Sequence, residues 1–112
     1  MVKLKGNFWL EKDSKSFLGK GRIELLKNIR KYGSISKAAK SMGMSYKAAW
    51  DAVDIINNLA KEKVVEKISG GKGGGGTKVT EYGEKIIKVY EETEKRYKKS
   101  LKELEMFFNE NL

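Results

Sequence analysis

Three groups of residues have types and spacings that could do chemistry. Asp51 and Asp54 stand three apart, which puts two carboxylates on one helix face. Gly71, Gly73 and Gly76 satisfy G-x-G-x-x-G, the pattern of a loop that cradles a dinucleotide pyrophosphate. Between Lys20 and Lys47 lie eight basic side chains and one acidic, the composition of a surface for a polyanion.

The first two groups lack what their chemistry needs. No pocket residue or ligand set joins the carboxylates. The chain has no His and no Cys, so it has no imidazole base, thiolate, disulfide or zinc knuckle. A dinucleotide loop must open straight into a helix, whereas Thr77-Lys78-Val79-Thr80 is strand-like. We therefore assign no catalytic residue, no metal ligand and no cofactor, and expect a protein that is not an enzyme.

The basic group survives this test. Of the 112 residues, those numbered 1–80 carry 17 basic and 7 acidic side chains, while 81–112 carry 7 and 8. The whole net charge of +9 thus sits in the first part. Charge alone does not separate a polyanion partner from a merely soluble, Lys-rich surface. No apolar run exceeds three residues, far short of a spanning helix or a signal peptide core. The expectation is a cytoplasmic protein with no membrane contact.

The positioning elements follow from periodicity. Val2, Leu4, Phe8 and Leu10 alternate with polar residues, the pattern of a half-buried strand, and Asp13 to Gly21 is expected as a loop. From Arg22 the period becomes helical, with Ile23, Leu26 and Ile29 on one face up to a cap at Gly33. Ser34 caps a short helix from Ile35 to Met42, whose Ala38-Ala39 pair allows close approach, and Gly43 makes a turn. Ser45 caps a third helix to about Lys61, with Ala49, Ala52, Val53, Ile56, Leu59 and Ala60 turned inward. Val64–Ile68 and Thr77–Thr80 make a hairpin around the glycine tract of residues 70–76. A long helix then runs from about Glu81 to Asn109.

Helix, helix, glycine turn, helix and hairpin is the order of a winged helix-turn-helix. The fold class expected is mainly α with a small β component, an N-terminal strand and a long C-terminal dimerisation helix. Residues 1–80 would form the DNA-binding domain and 81–112 the dimerisation helix of the same structural unit. The third helix would enter the major groove of double-stranded DNA. Its outer face carries Tyr46, Lys47, Trp50 and Asp51 at the N-terminal end. For Trp50 the alternative is an inward turn against the first helix or the hairpin. Ser34 and Ser45 cap helices and stand near phosphates, and Lys72, Gly73 and Gly74 would form the wing tip.

On the last helix Tyr82, Ile86, Tyr90, Thr93, Tyr97, Leu101, Leu104 and Phe108 form a seam with an eleven-residue repeat. A helix of that length, roughly 43 Å, outruns a small domain. The alternative is packing on its own domain; because of the length, Ile86, Tyr90, Tyr97, Leu101, Leu104 and Phe108 are assigned to a homodimer contact.

The strings Gly33-Ser34-Ile35-Ser36-Lys37-Ala38-Ala39 and Ser45-Tyr46-Lys47-Ala48-Ala49-Trp50-Asp51-Ala52 are distinctive, as is Gly70 to Gly76 followed by Thr80-Glu81-Tyr82-Gly83. In this order they resemble the N-terminal DNA-binding domain of the ModE family of molybdate-dependent transcription regulators. The wider helix-turn-helix is more distantly similar to LysR-type regulators. The resemblance implies a homodimeric winged helix on a palindromic operator, with the recognition helix at Ser45, Tyr46, Lys47, Trp50 and Asp51 and the wing at Gly70 to Gly76 with Lys72. Full-length relatives carry C-terminal oxyanion-binding domains, and this chain stops where they would begin. Regulation would then pass through a separate molybdate- or oxyanion-sensing protein, through abundance, or through another ligand. The alternatives in function are a protein-interaction module that recruits a sensor subunit, and an architectural protein that coats DNA with little sequence preference.

Overall fold

The computed structural model describes residues 1–70 and 76–112. Along the described chain the elements are β1 (Leu10–Lys12), β2 (Lys15–Leu18), α1 (Lys20–Tyr32), α2 (Ile35–Ser41), α3 (Tyr46–Leu59), β3 (Val65–Lys67), β4 (Thr77–Val79) and α4 (Glu81–Glu110). The molecule is elongated, 66 × 28 × 22 Å, because α4 projects past the rest.

Serine side chains cap the N-termini of α2 and α3, and glycine closes α1 and turns the chain after α2. Ile23, Leu25, Leu26 and Ile29 of α1 are buried, and Gly33 closes that helix at φ +70°. Such a left-handed cap costs a glycine little and a β-carbon residue more. Ser34 Oγ accepts from Lys37 N at 2.9 Å, and Ser45 Oγ accepts from Ala48 N at 3.1 Å. Ala38 and Ala39 are buried, so α2 crosses close to α1 and α3, and Gly43 turns between them at φ +66°. Lys12 donates to the Leu59 carbonyl and places a cation at the C-terminal end of α3.

The wing is an antiparallel pair in the register Val65↔Val79, Glu66↔Lys78 and Lys67↔Thr77. Two close contacts fix its base. Thr80 caps α4 by accepting from Gly83 N at 2.9 Å, and its own N–H donates to the Val64 carbonyl at 2.9 Å. Gly83 lies so near that carbonyl and Val79 that a β-carbon there would overlap both. The core is continuous from α1 through α3 and the wing root to Ile87 and Tyr90 of α4.

Two expectations fail at the N-terminus. Asp13 to Gly21 is not a loop: β1 and β2 form a hairpin across Asp13-Ser14, both at positive φ (52° and 62°), as a two-residue hairpin turn requires. α1 then starts at Lys20, two residues before the expected Arg22. Nor do Val2 to Phe8 form a strand. They run alongside α4, and Val2 N and Leu4 N donate to Asn109 Oδ1 (3.0 Å) and Glu105 Oε2 (2.8 Å). Alternation reports that one side of an extended segment is covered; it does not say whether a sheet or a helix covers it.

The candidate nucleic-acid interface

The start of α3 presents its large side chains outward. Tyr46 is 55% and Trp50 43% exposed, which decides against an inward Trp50. Lys47 is four residues from Asp51 on the same face, and the two form an exposed ion pair at 3.0 Å. Such a pair is worth little in solvent, so a phosphate or a base acceptor can take Lys47 and a base amino group can take Asp51.

Tyr46 and Trp50 border a depression of about 380 Å³ whose other walls are the first turn of α2 and the outer end of the wing strands. Ser34, Ser36, Lys67 and Thr77 contribute the polar atoms of that wall. Ser36 and Lys67 were missed in the sequence, because only the tertiary approach of α2 to β3 brings them together. The approach is pinned at one point. Thr77 N donates to the Gly33 carbonyl at 2.9 Å, and a β-carbon on Gly76 would come within 2.8 Å of the same oxygen. Gly33 therefore both closes α1 and seats the wing. The assigned tip residues Lys72, Gly73 and Gly74 lie outside the described residues.

A second clamp sets the wing against α3. Asn57 Oδ1 accepts from Val64 N (2.8 Å) and Val65 N (3.1 Å), while its Nδ2 donates to the Val65 carbonyl at 2.9 Å. Asn57 carries no periodic signal and was missed; an amide two residues before the helix end was the only hint.

The charge map needs correction. The basic run from Lys20 to Lys47 does not face outward as a whole. Lys27 pairs with Glu91 and Arg30 with Glu84, each at 2.6 Å, so these two cations bind α1 to α4. The hydrogen bond to Glu91 holds the Lys27 ammonium above its usual pKa. Arg22 donates to the carbonyls of Ser16 and Phe17. Among the described residues of that run, Lys20, Lys31, Lys37 and Lys40 are exposed and form no ion pair.

The assigned dimer seam divides in two. Ile86 is half-buried against the core, and Tyr90 is 3% exposed with its ring stacked on Phe8 at 5.4 Å. Burial raises the Tyr90 phenol pKa. Tyr97 also packs on Phe8, at 5.0 Å, and Leu101 is half-buried. Tyr90 is thus used within its own chain, because the N-terminal segment lies where a partner was expected. Leu104 and Phe108 remain exposed, and Met106 and Phe107 join them. The last two fall off the eleven-residue pattern, so the seam did not include them. Among the described residues no helix is long and apolar enough to cross a membrane.

Comparison with known proteins places this geometry. No protein-family model matches the chain. It is 46% identical over 101 residues to the molybdenum transport protein ModE of Azotobacter vinelandii, covering 90% of this chain and 37% of that protein. Over 82 residues it is 48% identical to the DNA-binding transcriptional dual regulator ModE of Escherichia coli (strain K12), covering 73% and 31%. The molybdenum-pterin-binding protein MopB of Rhodobacter capsulatus is 46% identical over 92 residues, 82% of this chain and 34% of its own. The chain thus spans about a third of the length of these relatives. A crystal structure of a LysR family transcriptional regulator superposes with a TM-score of 0.55 at 17% identity, covering 72% of this chain and 26% of that one. That likeness establishes the winged helix-turn-helix fold.

Proposed function

We propose that this chain, a homologue of ModE-type regulators over most of its length, is the sequence-specific DNA-binding unit of a transcription regulator. α3 lies in the major groove, with Tyr46, Lys47, Trp50 and Asp51 toward the base edges and Ser34 and Ser45 near phosphates. The wing, with Lys72, Gly73 and Gly74, follows the adjacent backbone or minor groove. Two copies meet along α4, through Leu104 and Phe108 with Met106 and Phe107 beside them. They set their recognition helices about 34 Å apart on an inverted repeat. The observation that carries this reading is the exposure of Tyr46 and Trp50 at the mouth of a depression walled by α2 and the outer end of the wing strands.

The test is selection of bound fragments from genomic DNA at about 0.2 M salt, where non-specific electrostatic binding is weak. Inverted repeats should be enriched, and the double variant Tyr46→Ala, Lys47→Ala should lose that preference by about 1–3 kcal/mol per lost base contact. An equal fall on random DNA would make those residues positioners. The selection is run with and without molybdate. Adding a relative's sensing domain tests whether an oxyanion response can reach this unit through a sensing partner.

A second reading is favoured by the four exposed apolar residues near the end of α4. In it α4 recruits a sensor subunit and this chain is an interaction module. Gel filtration separates the two: a stable homodimer supports the first, a monomer the second.

A further inference from the structure

The segment 2–8 and the outer half of α4 share a register. Two residues of extended chain rise about 6.6 Å, and four residues of helix rise about 6.0 Å. Every second residue of the segment therefore meets every fourth residue of α4. Val2 lies at Asn109, Leu4 at Glu105, Gly6 at Leu101 and Phe8 at Tyr97. Asn109 makes a paired contact, accepting from Val2 N and donating to the Val2 carbonyl at 2.8 Å. Tyr97 hydroxyl donates to the Asn7 carbonyl at 3.3 Å and occupies the space where Gly6 lacks a β-carbon.

This half of α4 is poorly equipped to stand alone. An isolated helix of fewer than about 12–15 residues is marginal in water, and most helical stability in a folded chain comes from packing against other segments. Lys95, Lys98, Lys99 and Lys102 stand three and four apart, a repulsive spacing that the exposed pairs Arg96–Glu92 and Lys98–Glu94 offset only in part, and the last turn has no cation for the helix dipole. Beyond Glu91, apart from the bonds to its cap residue Asn111, every hydrogen bond that described residues of α4 make outside the helix goes to residues 2–7.

We propose that residues 2–8 are an intramolecular splint: α4 binds their backbone through Tyr97, Glu105 and Asn109, and their seating keeps the outer half of α4 helical. The splint thereby controls presentation of the apolar end carrying Leu104 and Phe108. Only that consequence rests on the proposed dimer.

Hydrogen exchange of the full chain tests this with Gly6→Ala, Tyr97→Phe and the double variant. Gly6→Ala drives a methyl into the Tyr97 hydroxyl, so amides 98–110 should exchange about fivefold faster or more, while those of α1 and α3 keep their rates. Tyr97→Phe alone should stay within about twofold, since it loses one long hydrogen bond. The double variant should return to the Tyr97→Phe rate, because removing the hydroxyl makes room for the methyl. Unchanged exchange in Gly6→Ala overturns the splint, as does a double variant as fast as Gly6→Ala. Sedimentation of the same proteins reads the second copy separately. A monomer at every concentration would remove the dimer and leave the exchange result to decide the splint.

Discussion

Two asparagines hold extended backbone against a helix in this molecule, in opposite surroundings. Asn57 of α3 grips Val64 and Val65 at the wing root, and both of those residues are buried. Asn109 of α4 grips Val2, which is 45% exposed. The amide makes the same kind of bond in both places. The difference is what replaces the bond when it breaks. At Asn109 water takes over the Val2 backbone groups. At Asn57 water cannot reach the freed N–H groups without opening the core, so the full desolvation cost falls on the fold. One clamp makes the wing a permanent wall of the interface; the other makes a contact that opens locally at small cost.

The sharpest way to break that comparison is Asn57→Ala. It orphans the N–H groups of Val64 and Val65 and should cost about 1–3 kcal/mol of global stability. A lower denaturant midpoint with an unchanged slope would register it. Site preference should weaken as well, because the wing root loses its tie to α3. A loss under about 0.5 kcal/mol would mean that strand pairing and the Thr77–Gly33 bond hold the wing unaided.

Asn109→Ala should do far less to the whole and more to one place. Global stability is expected to stay within about 0.5 kcal/mol, because Asn109 is only half-buried and water replaces its bonds to the exposed Val2. The Val2 and Leu4 amides should meanwhile exchange near the rate of free chain. A global loss as large as that of Asn57→Ala would erase the distinction and join the outer half of α4 to the cooperative core.

The same contrast explains which parts were legible in the sequence. α1 to α3 were legible because a 3.6-residue apolar period, serine caps and glycine stops agree along those segments, as at Ser34, Gly33 and Ser45. The wing pair was legible from β-branched residues on either side of glycine. Asp13-Ser14 was not, since a positive-φ turn without glycine gives little signal. The outward face of α3 could be deduced once its apolar face was known, so the exposure of Tyr46 and Trp50 followed. Ser36 and Lys67 depended on a tertiary approach that no local pattern encodes. Lys27 and Arg30 looked like their outward neighbours because composition does not say which way a helix faces its partner. The dimer assignment of Tyr90 failed for a related reason: a long apolar seam gives the area to be covered, and the chain's own Phe8 covers part of it.

The smallest expected effect concerns the inner half of α4, where Lys27 meets Glu91 and Tyr90 is buried. Both groups have folded-state pKa values above their ordinary ones, Lys27 through the Glu91 hydrogen bond and Tyr90 through burial. A raised folded pKa means that the folded chain keeps a proton which the unfolded chain gives up. The contribution is therefore complete below the ordinary values of 10.0 for the phenol and 10.5 for the ammonium, and is lost as pH rises through the folded values. The Lys27–Glu91 pair is partly solvated, so salt screens it. Denaturant midpoints measured from about pH 9 to about pH 11 should fall more steeply in the parent than in Tyr90→Phe, which cannot titrate there. Lys27→Gln should flatten the curve by a smaller amount, and added salt should shrink only its difference. Parallel curves for all three proteins would show that neither group feels its surroundings, and that apolar packing alone holds the inner half of the helix.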